Sequence, residues 1–241
     1  MTEQSLTEIF SLLKDCSEDE RQNVFRTLRQ EFPIHTIEQR FNAPAEIILE
    51  AIARSPDLTV RGIRGVIADA AFGQYVVPVM IECGWTDVTP PGNHSYDYKL
   101  RDAVGAVTVQ VKMQRQKDHR PMLASEGYRS LSSDMYVVET QRTRGGKDPT
   151  SGEDTRPYRY GEFDILAVSM HPSTNRWEDF LYTVTDWLLP DGTSNRILKF
   201  QPVSKTVNDD WTTDFEEVIR WWRSGQKKNI ARSGRANPSL L

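Results

Sequence analysis

The stretch SYDYKLRDAVGAVTVQVKMQR, Ser95 to Arg115, decides the fold, because it predicts two strands joined by a short turn. Side chains alternate between the two faces of a strand. Four apolar residues share one face of the second strand, namely Val107, Val109, Val111 and Met113. Four polar residues share the other face, namely Thr108, Gln110, Lys112 and Gln114. A polar face inside a sheet must line a wet cleft or have its polar groups hydrogen-bonded.

An aspartate on the first strand gives this polar face a chemical interpretation. Asp97 lies between Tyr96 and Tyr98, and a hairpin would bring it beside Gln110 and Lys112. Carboxylate and amide oxygens are hard ligands that suit Mg²⁺. A lysine ammonium can orient or help deprotonate a water molecule and offset charge at a phosphate. The trio therefore suits phosphodiester hydrolysis; the alternative is a solvated strand face with Asp97 opening a turn.

The composition is that of an ordinary globular protein. The chain has 241 residues, 38% hydrophobic and 27% charged, with a formal net charge of −4. This bulk charge neither indicates nor excludes nucleic acid. Cys16 and Cys83 fit neither a zinc spacing nor a disulfide framework, which favours a reducing compartment. The segment MTEQSLTEIF is too acidic for a signal peptide and no apolar run looks long enough to span a bilayer, so we expect a cytoplasmic protein.

The order of elements predicts a mixed α/β (α+β) fold, with a central mixed sheet flanked by helices. Helices are expected first, with a capping box of Ser17 and Glu20 and a long helix kinked near Pro78 and closed by Gly84. Strands are expected at 96–102, 106–114, 135–142, 162–170, 179–184 and 197–203, and a last helix at 211–225. We expect three parts: a helical region 1–60 that dimerises or clamps DNA, a core 61–224, and a basic, flexible tail 225–241.

The motif Asp97 with Gln110-Val111-Lys112 resembles the PD-(D/E)xK nuclease superfamily in its D…QxK variant. The upstream helix ending in Gly84-Trp85 fits the family's helix-strand-strand order. The later segment 136–183 looks like type II restriction endonucleases, and the resemblance as a whole covers about 64 to 190. The resemblance implies a restriction-endonuclease-like core and site-specific cleavage of double-stranded DNA by a homodimer, with a cognate DNA methyltransferase as genetic partner.

The resemblance also implies roles for these residues. Asp97 and Gln110 would hold Mg²⁺, for which Mn²⁺ substitutes, and Lys112 would position the attacking water. Asp69 on the upstream helix is a further candidate ligand, and Glu82 a poorer one. The family usually has an acidic residue where Gln110 stands, and a neutral ligand makes the site less anionic. Two alternatives therefore stay open: a nuclease-fold protein that binds DNA with little or no cleavage, and a non-specific or repair nuclease.

Two basic segments are candidates for DNA contact, because arginine reaches phosphates and guanine edges. The first follows Lys112 and the second runs from 141 to 160, where Tyr158 accompanies the arginines. Their candidate residues are Arg115, Lys117, Arg142, Arg144, Lys147, Arg156 and Arg159. Glu162 and Asp164 are expected to lie on a core strand and to fix loop arginines.

Overall fold

The computed structural model describes residues 3–32, 35–142, 145–147, 152, 154–192 and 195–232. The chain divides into two compact units, Met1–Val60 and Arg61–Leu241. The first unit is helical, with α1 Glu3–Asp15, α2 Glu18–Glu31, α3 Ile37–Phe41 and α4 Ala45–Ala53. The predicted capping box of Ser17 and Glu20 at the start of α2 is confirmed. No residue of this unit whose side chain is described is buried.

The long helix predicted upstream of the strands is present as two helices. Helix α5 spans Asp57–Tyr75 and α6 spans Val77–Glu82, with Pro78 in the first turn of α6. Gly84 follows with a φ of +91°, the left-handed conformation that suits a glycine after a helix. By length and composition alone, Asp57–Glu82 could cross a membrane, so the expectation of no such run has to be corrected. Ala68, Phe72 and Met80 of this stretch are buried in the core, and core helices of soluble proteins meet the same criterion.

The second unit contains a five-stranded mixed sheet, as the sequence predicted. Its strand order is β1-β2-β3-β7-β8. The strands are β1 Thr86–Asp87, β2 Tyr98–Arg101, β3 Ala106–Met113, β7 Ile165–Ser169 and β8 Phe180–Val184. Strands β3 and β7 are parallel, and the other pairs are antiparallel.

The remaining strands lie outside the central sheet. Strands β6 Tyr136–Glu139 and β9 Phe200–Val203, both predicted, pair with each other in a separate sheet. Strands β4 Gln116–Lys117 and β5 Arg120–Pro121 form a small hairpin that the sequence pattern did not predict. Short helices α7 Ala124–Gly127 and α8 His171–Thr174, a 3₁₀ turn Thr185–Trp187 and the predicted last helix α9 Phe215–Arg223 complete the described elements.

The core joins α5 and α9 to the apolar face of the sheet. Phe72 of α5 contacts the rings of Tyr98, Phe180 and Phe215, with centroid distances of 5.0, 5.5 and 5.8 Å. These rings come from β2, β8 and α9, so one residue ties three elements to the long helix. Burial of large aromatic side chains dominates the energetics of such a core.

The predicted flexible tail, 225–241, needs correction over its first residues. Ile230 is buried, and its backbone N–H donates to the Trp187 carbonyl at 2.8 Å. Lys228 pairs with Asp210 at 2.9 Å and its ammonium lies 4.0 Å from the centre of the Trp187 ring. The composition of the segment did not indicate this packing, because a single buried apolar residue among polar neighbours is enough to hold the segment against the core. Residues 233–241 lie outside the described residues.

Candidate active site

Asp97 stands where β2 and β3 diverge. Strand pairing starts at Tyr98, opposite Val109, and β3 continues past this point without β2 beside it. The N–H of Val111 is therefore released from the ladder, and Oδ2 of Asp97 accepts it at 2.7 Å. The backbone N–H of Asp97 donates to the Val109 carbonyl at 2.9 Å. These two bonds fix the aspartate at the opening between the strands.

Gln110 connects this aspartate to the interior. Its amide nitrogen, Nε2, donates to Oδ2 of Asp97 and, at 3.1 Å, to the Val111 carbonyl. Its amide oxygen, Oε1, accepts from the Tyr158 hydroxyl at 3.0 Å. Gln110 is 3% exposed, so the polar face of β3 is covered here and its amide is satisfied. Of the two outcomes expected for this face, the hydrogen-bonded one holds at Gln110.

Gln114 marks the other end of the polar face and behaves differently. It is fully buried, yet neither of its side-chain amide atoms has a hydrogen-bond partner among the described residues. A buried amide without partners costs free energy.

Lys112 lies on the same face as Gln110 and is the partly buried cation of the site. Its ammonium donates to the Tyr158 hydroxyl at 3.3 Å and lies 5.1 Å from the centre of the Tyr158 ring. Burial lowers the pKa of Lys112, while the charges of Asp97 and Asp69 oppose that decrease. A lysine on a solvated strand face would not be held against a buried tyrosine in this way, so the contacts of Lys112 do not fit the solvated-face interpretation.

Asp69 reaches the same region from α5. The Tyr98 hydroxyl donates to the Asp69 carbonyl at 2.9 Å and joins α5 to β2. Gly73 permits this contact, because a Cβ at that position would lie 2.6 Å from the Tyr98 hydroxyl oxygen. Burial raises the pKa of Asp69, and Lys112 partly offsets the increase. Glu82, the poorer candidate, is exposed at the end of α6.

The surroundings of Asp97 disfavour the ionised form of its carboxylate. Burial raises the pKa of Asp97 to about 6, against the charge of Lys112 and the Val111 hydrogen bond. The nearby carboxylate of Asp69 adds to the increase. A carboxylate and a lysine with opposed, burial-driven pKa shifts are typical of functional sites.

The sequence did not assign Tyr158 to this site. It follows β3 by more than forty residues, and the only sequence signal was its place in an arginine-rich segment. In the structure it is 4% exposed and its hydroxyl contacts both Gln110 and Lys112. Burial raises the pKa of Tyr158, so the hydroxyl keeps its proton at neutral pH.

Several candidate DNA-binding residues are paired with carboxylates or close to acidic residues. Three of them form ion pairs: Arg115 with Glu139 at 3.2 Å, Lys117 with Glu126 at 3.3 Å and Arg142 with Glu162 at 2.6 Å. Glu162 pairs with a loop arginine as expected, whereas Asp164 instead accepts from the N–H and hydroxyl of Thr108. The expectation that both lie on a core strand is wrong, because they precede β7, which begins at Ile165.

The other candidates lie in the loop after β6. The backbone of Lys147 forms an isolated β-bridge with that of Asp154, and the Asp154 carboxylate accepts from the Arg156 N–H. The backbone N–H of Arg159 donates to Glu162 at 3.0 Å. Arg144 lies outside the described residues.

The oxygens around Asp97 have the chemistry of a small cation site. Nε2 of Gln110 donates to both Oδ2 of Asp97 and the Val111 carbonyl oxygen. These two oxygens are therefore close enough to contact the same donor group or the same cation. Oδ1 of Asp97 accepts no hydrogen bond from the described residues, so this oxygen is available as a further cation ligand. No group of three or more His, Cys, Asp or Glu suited to a metal occurs in the described part of the chain. A cation here would therefore depend on the Gln110 amide oxygen and on backbone oxygen as well as carboxylates.

Comparison with solved structures gives a distant match. No family model matches the chain, and no curated protein matches it. Among solved structures, the chain is similar to the bacterial homing endonuclease I-Ssp6803I, with 19% identity and a TM-score of 0.39. The match covers 68% of this chain and 94% of that chain. A similarity at this level concerns only the course of the backbone. The superfamily assignment therefore stays a prediction, and the function has to be argued from the site.

Proposed function

We propose that this chain is a Mg²⁺-dependent endonuclease that hydrolyses phosphodiester bonds of double-stranded DNA at specific sequences, as type II restriction enzymes do. One observation carries the proposal. Asp97, Gln110 and Lys112 meet where β2 and β3 diverge, and the residues that carry the carboxylate and the ammonium are both partly buried. Burying such charges is costly unless they are paired or used, which favours a chemical role over a structural one.

Each residue has a role in this proposal. Asp97 and Gln110 hold the cation, and Asp69 supports it from α5. The ammonium of Lys112 orients the attacking water and offsets negative charge at the phosphate. A bound Mg²⁺, or Mn²⁺ in its place, would stabilise the charge that develops on the phosphate oxygens. Because Gln110 is neutral, the protein supplies less negative charge than a site with an acidic residue there.

The helical unit 1–60 is better suited to protein contact than to clamping DNA. It has six basic and eleven acidic side chains, a net charge of −5, which disfavours phosphate binding. It also exposes large apolar side chains on its helices, including Phe10, Phe25, Phe41 and Leu49. Cutting both strands of a two-fold symmetric site needs two copies of the active site. We therefore propose a cytoplasmic homodimer assembled through this unit, with a cognate methyltransferase as genetic partner.

DNA would be bound by basic side chains of the loop after β6 and of the segment that follows β3. Candidates are Lys147, Arg156 and Arg159, with Arg115, Lys117 and Arg142 competing between their carboxylate partners and the phosphates. Such exchange is inexpensive near the surface, where ion pairs contribute about 0–1 kcal/mol.

The test is cleavage of unmethylated phage DNA by the purified full chain with Mg²⁺, resolved on a gel beside Lys112→Ala. Discrete bands that vanish in Lys112→Ala are expected. The matched control is Lys205→Ala, because Lys205 is an exposed lysine whose described contact is the Tyr136 ring. A smear instead of bands would indicate a non-specific nuclease.

A second candidate is a DNA-binding protein on this fold that does not cleave. The observation that favours it is the hydrogen bonding of Asp97, whose Oδ2 already accepts from Val111 and Gln110 and so has a structural role. Intact DNA with Mg²⁺ and with Mn²⁺, together with a gel shift that Lys112→Ala does not change, would support this candidate against the first.

A further inference from the structure

Tyr158 joins two members of the candidate site through one hydroxyl group. The hydroxyl donates to Oε1 of Gln110 at 3.0 Å and accepts from Nζ of Lys112 at 3.3 Å. At 4% exposure, the side chain is out of reach of a DNA backbone. It can therefore affect cleavage only through its neighbours.

Packing fixes the position of this hydroxyl. The Tyr158 ring meets Phe163 edge to face, with centroids 5.2 Å apart. The guanidinium of Arg142 lies 5.3 Å from the ring centre and is itself held by Glu162 at 2.6 Å. The Tyr158 carbonyl accepts from the Ile197 N–H at 2.9 Å. A ring held on its face, edge and backbone leaves the hydroxyl little freedom to move.

We propose that Tyr158 is a positioning residue of the cleavage reaction, whose hydroxyl orients the Gln110 amide and holds the Lys112 ammonium on the same side of the site. The inference rests on the proposed function for its effect on cleavage, but the orientation of Gln110 is a property of the free protein.

The direction of the Gln110 amide explains why a hydroxyl is required. In this structure the amide nitrogen, not the oxygen, faces Asp97 and the Val111 carbonyl. To bind a cation beside Asp97, the amide has to turn so that Oε1 faces the carboxylate. Nε2 would then face Tyr158, whose oxygen can accept a hydrogen bond as readily as its proton can be donated. Tyr158 thus keeps Gln110 partnered in both orientations.

Phenylalanine has the same ring but no hydroxyl, so it cannot hydrogen-bond to the Gln110 amide in either amide orientation. In Tyr158→Phe, one end of the buried Gln110 amide and the Lys112 ammonium lose their partner. We expect Gln110 to sample several orientations, and kcat to fall about tenfold or more with KM unchanged, since a buried polar group that loses its hydrogen-bond partner is destabilised.

The matched control is Tyr160→Phe. The Tyr160 hydroxyl donates to the Leu188 carbonyl at 2.7 Å, away from Asp97, Gln110 and Lys112. Both variants lose one hydroxyl from the same segment, with two hydrogen bonds removed in Tyr158→Phe and one in Tyr160→Phe. A merely structural role would therefore change the two variants alike.

The experiment follows the side-chain amide signals of Gln110 by NMR in the full chain labelled at glutamine nitrogen, with Gln110→Ala used to assign them. Tyr158→Phe should shift or broaden these signals, Tyr160→Phe should not, and Mg²⁺ should move them in the wild type. Steady-state cleavage gives kcat and KM for the same proteins. Should Tyr158→Phe not fold, Gln110→Met must displace the Tyr158 ring signals of tyrosine-labelled protein.

The outcomes separate this inference from the proposed function. Gln110 amide signals that are identical in the wild type and Tyr158→Phe would overturn the inference, whether or not the protein cleaves DNA. An active wild type with an unchanged kcat in Tyr158→Phe would also overturn it. A wild type that cleaves no DNA but whose Gln110 signals depend on Tyr158 would refute the proposed function and leave the orienting contact established.

Discussion

Replacing Asp97 by asparagine should abolish cleavage and at the same time stabilise the folded protein. The carboxylate is largely buried, and its neighbours do not fully offset the cost of its charge, because the pKa of Asp97 is raised to about 6. Asparagine has the same shape, and its oxygen can still accept from Val111 N–H and Gln110 Nε2. The variant therefore keeps the hydrogen bonds and loses the buried charge.

The pH dependence follows from the direction of this shift. Between the ordinary pKa of 3.8 and about 6, the folded protein binds more protons at Asp97 than the unfolded chain does. The free energy of unfolding of the wild type therefore falls as pH rises through this window and levels off above it. A shift of about two units corresponds to at most about 3 kcal/mol, so we expect Asp97→Asn to be about 1–3 kcal/mol more stable near neutral pH. Below about pH 4 the two proteins should be equally stable.

Urea unfolding without divalent cations, at several pH values from about 4 to 8, measures this difference directly. Asp102→Asn is the control of opposite sign. Two hydrogen bonds from Arg223, of 2.8 and 2.7 Å, hold the pKa of Asp102 well below its usual range. That variant should be less stable than the wild type at neutral pH, and the difference should shrink in acid. An Asp97→Asn protein that is less stable than the wild type near neutral pH would refute the account of Asp97 as a costly buried charge.

Two further predictions concern the cation and the DNA. The affinity for Mg²⁺ or Mn²⁺ should fall about tenfold between about pH 7.5 and pH 5, because a cation needs the ionised form of Asp97 and its pKa is about 6. Calorimetric titration at the two pH values tests this, and an affinity independent of pH would contradict it. Glu162→Gln should release Arg142 from its 2.6 Å ion pair, and log Kobs for DNA should then depend more steeply on log[salt] by about 0.9, the value for one added phosphate contact. Fluorescence anisotropy at several NaCl concentrations measures this slope. The control is Glu178→Gln, which removes one of the two carboxylate partners of the exposed Arg176; equal slopes in both variants would contradict a DNA contact by Arg142.

Alternation along the chain was sufficient to predict the strands and the face on which each residue lies. All six predicted strands are present, because strand side chains repeat every two residues and turn residues interrupt them locally. The same rule placed Gln110 and Lys112 on one face, and a short connection to β2 made their approach to Asp97 predictable. The capping box at Ser17 is also local, since its two hydrogen bonds span three residues.

What covers a strand face depends on contacts between distant parts of the chain, so only the tertiary structure decided it. The polar face of β3 is buried at Gln110 by Tyr158, forty-eight residues away, and the loop arginine Arg142 is paired across twenty residues with Glu162. The pairing of β6 with β9, apart from the central sheet, is likewise non-local. Periodicity specifies which residues point the same way, but burial, and with it the pKa of Asp97 and the orientation of Gln110, is set by whichever segment packs against that face.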